Sequence, residues 1–261
     1  MPVSDFIHVD GGLAFAGGSH PVNPDQTLSR DNNKPGVVAS QAGNMSFTHA
    51  NGGNRVTVGA GFTARESSLV NASAIAYTGN VKVDHTIGPV GVGVEGKLVG
   101  SNLLHMRPGD PTDEPAGIRF GHIAVTGDLQ QHLPGVGSVA VHAEAGYRAG
   151  PGLTNRVDAV AQGRVTEHAG PVTLDFTGRV VAGKWTDRTP AGRPRRTDVL
   201  PSGEVKASIP VADHVSLFAK VGADGRDSNT DHYVSRSYAN LGGGVGIQFS
   251  EEGSVKPKPK N

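Results

Sequence analysis

From about residue 54 onward, apolar and polar residues alternate with a period of two. In Arg55–Arg65 the apolar set is Val56, Val58, Ala60, Phe62 and Ala64, interleaved with Arg55, Thr57, Gly59, Gly61, Thr63 and Arg65. Val139–Ala149 sets Val139, Val141, Ala143, Ala145 and Tyr147 against His142, Glu144 and Arg148. The pattern repeats in Arg156–Thr166 (Arg164 on the polar side), Val172–Ala182 (Asp175, Arg179) and Val215–Asp224 (Lys220), and Glu95 and Lys97 follow it between 90 and 100. Successive side chains of a β-strand point to opposite faces, so each segment carries one apolar and one ionic face. No stretch sustains a helical period of 3.6. In Ile118–Leu129 the apolar positions change parity, from Ile118 and Phe120 to Ile123, Val125 and Leu129. A β-bulge near Gly121–His122 would produce that change.

These patterns predict strands over roughly 6–18, 42–50, 54–65, 70–85, 90–100, 117–132, 138–149, 154–168, 171–185, 203–210, 215–226 and 235–249. The fold class expected is all-β, an antiparallel up-and-down barrel of about twelve strands; an even strand count suits such closure. The connections sort by end. One end has tight turns: Asn51-Gly52-Gly53-Asn54, Ile87-Gly88-Pro89, the turn from Leu133 to Gly137, Ala169-Gly170-Pro171 and Val211-Ala212-Asp213. Their Gly, Pro, Asn and Asp supply the backbone angles that hairpins require. The long connections, 19–41, 101–116, 186–202 and 227–234, all fall at the other end. Short turns on one side and long loops on the other are a property of membrane barrels. Asp84-His85-Thr86-Ile87-Gly88-Pro89-Val90 also echoes Glu167-His168-Ala169-Gly170-Pro171-Val172, which suggests a repeated hairpin unit.

The apolar face is mostly Val, Ala, Leu and Gly. A barrel of about twelve strands is too wide for such residues to fill, and an inward apolar face would leave a void. Turned outward, the same face meets hydrocarbon, and the ionic face lines a wet lumen. Apolar alternations of about 9–11 residues match the span of a tilted strand. Two stacked sheets with a core about 10 Å thick remain the soluble alternative. Aromatic residues, 5% of the chain, are sparse for interfacial girdles, and that favours the alternative. Tyr77, Phe120, Tyr147, Trp185, Tyr233, Tyr238 and Phe249 are the girdle candidates.

The final strand, Tyr238 to Phe249, alternates Leu241, Gly243, Val245 and Ile247 and ends on an aromatic residue. It resembles the closing strand of bacterial outer-membrane β-barrels. That resemblance implies a barrel in the bacterial outer membrane whose partners are the lipid bilayer and small polar solutes. Residues 1–249 are expected to form a single domain. The end from Ser250 to Asn261, SEEGSVKPKPKN, reads as a disordered Lys/Pro tail.

Composition excludes several chemistries. The 261 residues carry 24 Lys plus Arg and 24 Asp plus Glu, so no net charge favours nucleic acid as a partner. Cysteine is absent, which removes disulfides, thiolate metal sites and cysteine nucleophiles. The start, Met1 to Asp5, lacks a basic region followed by an apolar one. The numbering is then that of a mature chain, or export uses another route.

The ionic face supplies the lumen-lining candidates Arg55, Lys97, Glu144, Arg148, Arg164, Asp175, Arg179 and Lys220. The arginines and Lys220 would attract anions, with Glu144 and Asp175 pairing with them. Acidic Asp110, Asp113 and Glu114 and basic Arg193, Arg195 and Arg196 lie on two long connections at one end and are candidates for an electrostatic gate, or simply two solvated loops. His49, His85, His132, His168 and His214 adjoin the tight turns. A ring of histidines could sense pH or attract a metal; polar residues in a duplicated turn are the plainer explanation. Gly91-Val92-Gly93-Val94-Glu95-Gly96 fits GxGxxG, but it lies inside a strand instead of opening a helix, so it binds no dinucleotide. No hydrolase or metalloprotease motif occurs. The expectation is a pore or passive conduit for small polar or anionic solutes, with no catalytic residue, cofactor or metal. The alternative is a soluble secreted all-β binding protein.

Overall fold

The computed structural model describes residues 4–18, 36–67, 73–103, 117–134, 137–150, 155–186, 195–229 and 238–255. Twelve strands run in chain order: β1 Ser4–Gly18, β2 Gly36–Asn51, β3 Asn54–Ser67, β4 Ser73–Ile87, β5 Val90–Leu103, β6 Gly117–Leu133, β7 Gly137–Ala149, β8 Arg156–Ala169, β9 Val172–Trp185, β10 Thr197–Ala212, β11 Val215–Ser228 and β12 Tyr238–Val255. Each pairs antiparallel with its sequence neighbours, and β1 pairs with β12 to close the barrel. Closure leaves no edge with unpaired backbone groups, the condition for a sheet to stand in hydrocarbon.

Four of the tight turns place a glycine at positive φ: Gly52, Gly88, Gly137 and Gly170. The fifth uses His214, at φ 62°, the one non-glycine with positive φ among the described residues. Left-handed backbone at these positions lets two strands reverse within a few residues.

Three strands run six residues further than their alternation predicts. β2 begins at Gly36 and β10 at Thr197, not near 42 and 203. β12 continues to Val255, and residues 250–255 pair with Asp5–Asp10 of β1. Those six residues therefore belong to the wall, not to a tail. The bulge in β6 lies two residues earlier than the Gly121–His122 position expected. Val99 pairs with Phe120 and Gly100 with Ile118, so Arg119 is the extra residue. An inserted residue shifts everything beyond it to the opposite face, which brings Ile118 into step with Ile123 and Val125 but takes Phe120 out of step with Ile118.

The apolar face points outward. Exposed large hydrophobic residues occur on every strand, among them Ile7, Met45, Phe62, Val81, Val94, Ile123, Val141, Val157, Phe176, Val205, Leu217 and Ile247. The buried hydrophobic residues among those described are Ala124, Val160 and Val181, all on the inner face. A sandwich would enclose Phe176 and Leu217 in a dry core; they are 40% and 43% exposed. This inverts the pattern of a water-soluble domain and removes the two-sheet alternative.

Candidate functional site

Contacts between strands two apart identify the inner surface. Lys82 Nζ on β4 reaches Asp128 Oδ2 on β6 at 2.6 Å, across β5. Lys206 on β10 bonds Gln248 on β12, across β11. Side chains so placed meet only where curvature draws them together, on the concave side of the wall. Gly91 and Gly93 keep β5 low beneath the first bridge. Alternation then carries every ionic face of the wall into the lumen.

Most inward carboxylates have partners. Asp175 accepts from Arg164 at 2.7 Å and from the Thr166 hydroxyl at 2.6 Å. Glu204 pairs with Lys220 at 2.7 Å. Asp224 accepts from Asn240 at 2.8 Å and Glu95 from Asn80 at 3.3 Å. Among the cations, Arg55, Lys97 and Arg179 are exposed and make no ion pair among the described residues. They sit near the turn end of β3, in the loop half of β5 and midway along β9. Among the described residues the lumen therefore presents unpaired positive charge at three levels, while its negative charge is largely tied up.

Glu144 departs from expectation. The sequence pairs it with the arginines, yet its oxygens lie 3.4 Å from His122 Nε2 and 3.5 Å from His142 Nε2. His142 Nδ1 also contacts Asp128 at 2.7 Å. A row of Lys82, Asp128, His142, Glu144 and His122 thus runs up the inner wall of β4, β6 and β7. Gly146 makes room for it, since a Cβ there would lie 2.5 Å from His122 Nε2.

Arg148 lies at the loop end of the lumen and is buried. Its guanidinium stands 5.7 Å from the Trp185 ring, which Arg156 and Arg196 also approach, at 5.5 and 4.8 Å. Asp198, fully buried, accepts from Arg196 at 2.7 Å and from the Trp185 indole N–H at 3.2 Å. Arg156 pairs with Asp158. Stacking of guanidinium groups on an aromatic face, with carboxylates at their rims, fixes all these planes together. Trp185 accordingly points inward and is not part of a girdle; Tyr77, Tyr147 and Phe249 are exposed on the outside.

Of the gate candidates, Arg196 is held by Asp198 against the wall, and Arg195 is exposed with its carbonyl accepting from Asn229 at 3.1 Å. Asp110, Asp113, Glu114 and Arg193 lie outside the described residues. The turn-end histidines are dispersed: His49 bonds Asp5, His85 bonds Asn54 and His168 bonds Thr173. No group of three metal-ligating side chains converges among the described residues.

His122, Asp128 and Trp185 are lumen residues that sequence reasoning missed, and His142, placed on the polar face, was given no role. Parity could have placed two of them: Trp185 falls in step with Asp175 and Arg179, and Asp128 falls on the face opposite Val125 and Leu129. His122 required the bulge to be located first.

No protein-family model matches the chain, and no curated protein matches it in sequence. Solved structures do. An outer membrane channel from Pseudomonas putida F1 superposes with a TM-score of 0.56 at 13% identity, covering 96% of this chain and 97% of that one. A bacterial polysaccharide outer membrane secretin gives 0.50 at 12%, covering 92% and 97%. The chain has the fold of bacterial outer-membrane β-barrels.

Proposed function

We propose that this protein is a channel of the bacterial outer membrane that conducts small polar solutes, anions in preference to cations. The observation that carries the reading is the division of charge inside the barrel. Arg55, Lys97 and Arg179 stand exposed to the lumen without ion partners among the described residues, whereas the carboxylates around them are mostly bonded or buried. Charge lining a water-filled passage between low-dielectric walls raises the local concentration of the opposite ion. The apolar exterior supports the membrane as its surroundings, and the shared fold includes an outer membrane channel.

Reconstitution in planar bilayers tests this. A salt gradient should give a reversal potential on the anion side, and Lys97→Glu with Arg179→Glu should move it to the cation side. A folded, inserted barrel with no conductance contradicts the reading.

A further inference from the structure

We propose that the His122–Glu144–His142 row is a proton-operated selectivity element of this lumen, an inference that rests on the channel reading above. The three side chains share the inner face of β6 and β7, and Glu144 stands between the two rings. A neutral imidazole carries one N–H and one lone pair. With Nδ1–H of His142 directed at Asp128, its Nε2 in the neutral ring turns a lone pair toward Glu144 Oε2. His122 Nε2 is enclosed and has no hydrogen-bond partner among the described residues, while Glu144 Oε1 lies 3.4 Å away. With neutral rings the His142 contact sets a lone pair against a carboxylate, and the His122 contact makes no hydrogen bond. Protonation turns each into a charge-assisted contact and cancels the charge of Glu144.

The surroundings define the sign. Facing the row are Asp128 on β6 and Lys82 on β4, paired at 2.6 Å. Lys97 on β5 and Arg148 on β7 stand in register with His122, and Gln162 on β8 with His142. Glu95 on β5 stands in register with Lys82. Glu144 itself pairs in register with Thr126 and Val160, which carry no charge. With neutral rings, Glu144 is therefore the one carboxylate of the row with no cation bonded to it. Acidification adds positive charge beside it, so anion preference should rise as pH falls. Histidine is the side chain that ordinarily makes this change between about pH 5 and about pH 8. His8, near Asp10 on β1, and the turn-end histidines stand toward the turn end, away from this row.

The test combines two readouts on the full chain in detergent and bilayers. The anion-to-cation permeability ratio of the native barrel should rise about twofold or more from about pH 8 to about pH 5. In a His122→Gln, His142→Gln double variant that dependence should vanish while conductance persists. Side-chain nitrogen NMR of the native barrel should show both rings gaining a proton over the same interval, a measurement that needs neither variant folding nor conduction. Rings that keep one protonation state, or a pH-dependent ratio that survives in the double variant, overturn the inference and leave the channel intact. A barrel silent at both pH values refutes the channel reading and the element with it.

Discussion

Gly170 and Gly178 lie eight residues apart and serve opposite purposes. Gly170 holds φ at 63° in the turn between β8 and β9, with nothing within 4 Å of a notional Cβ. Substitution there meets no atom, so its cost is backbone strain alone. Gly170→Val should destabilise the refolded barrel by about 1–2 kcal/mol in urea titration. Gly178 faces outward mid-strand, and its notional Cβ also meets nothing within 4 Å. Gly178→Ala should be neutral or stabilising by about 0.5–1 kcal/mol, because glycine gains nothing in an extended segment. Equal losses at the two positions would contradict this division. His214 occupies the turn conformation that glycine holds at Gly52, Gly88 and Gly170. Histidine tolerates it better than most residues, which explains how a repeated hairpin accepts a side chain at this point.

Among the elements, β12 and β1 bear the burden of closure. Residues 250–255 pair with Asp5–Asp10, so Phe249 does not end the wall. Truncation after Phe249 strips that part of β1 of one partner. At about 1 kcal/mol per ladder hydrogen bond, the loss should reach several kcal/mol. It would be seen as a lower urea midpoint and less heat-modifiable barrel on electrophoresis; an unchanged midpoint would contradict it. The strands were readable wherever an outward row of Val, Leu or Phe alternates with charge, as in β3, β7, β8 and β9. They were hidden where the alternation is interrupted. Asp198, Pro201 and Ser202 disguise the start of β10, and Val37, Val38 and Ala39 blur the parity at the start of β2. The Glu251-Glu252 pair disguises the end of β12, because beyond the hydrocarbon a strand need not be apolar outside. Position along the lumen was less legible than facing. Parity assigns Glu144 to the inside, but only the glycine at 146 lets His122 fold down to meet it.

For the whole molecule, the two surfaces must be considered together. An exterior of exposed Val, Leu, Ile and Phe excludes water-soluble life, and an interior of paired charge with a few free cations excludes a dry core. The free cations act through water, so salt should screen them. The anion preference should be marked near 0.1 M salt, where the screening length is about 10 Å, and fade near 1 M, where it is about 3 Å. A preference independent of ionic strength would point to size or specific binding instead. Facing is what makes both surfaces possible, and β9 reports it within a few residues. Spin labels placed singly at 174, 176 and 180, and at 173, 177 and 179, in bilayer-inserted protein measure it directly. The first three should relax with oxygen and the last three with a water-soluble nickel chelate. The reverse pattern, or equal access of the chelate to both sets, would contradict a lipid-facing apolar surface around an aqueous lumen.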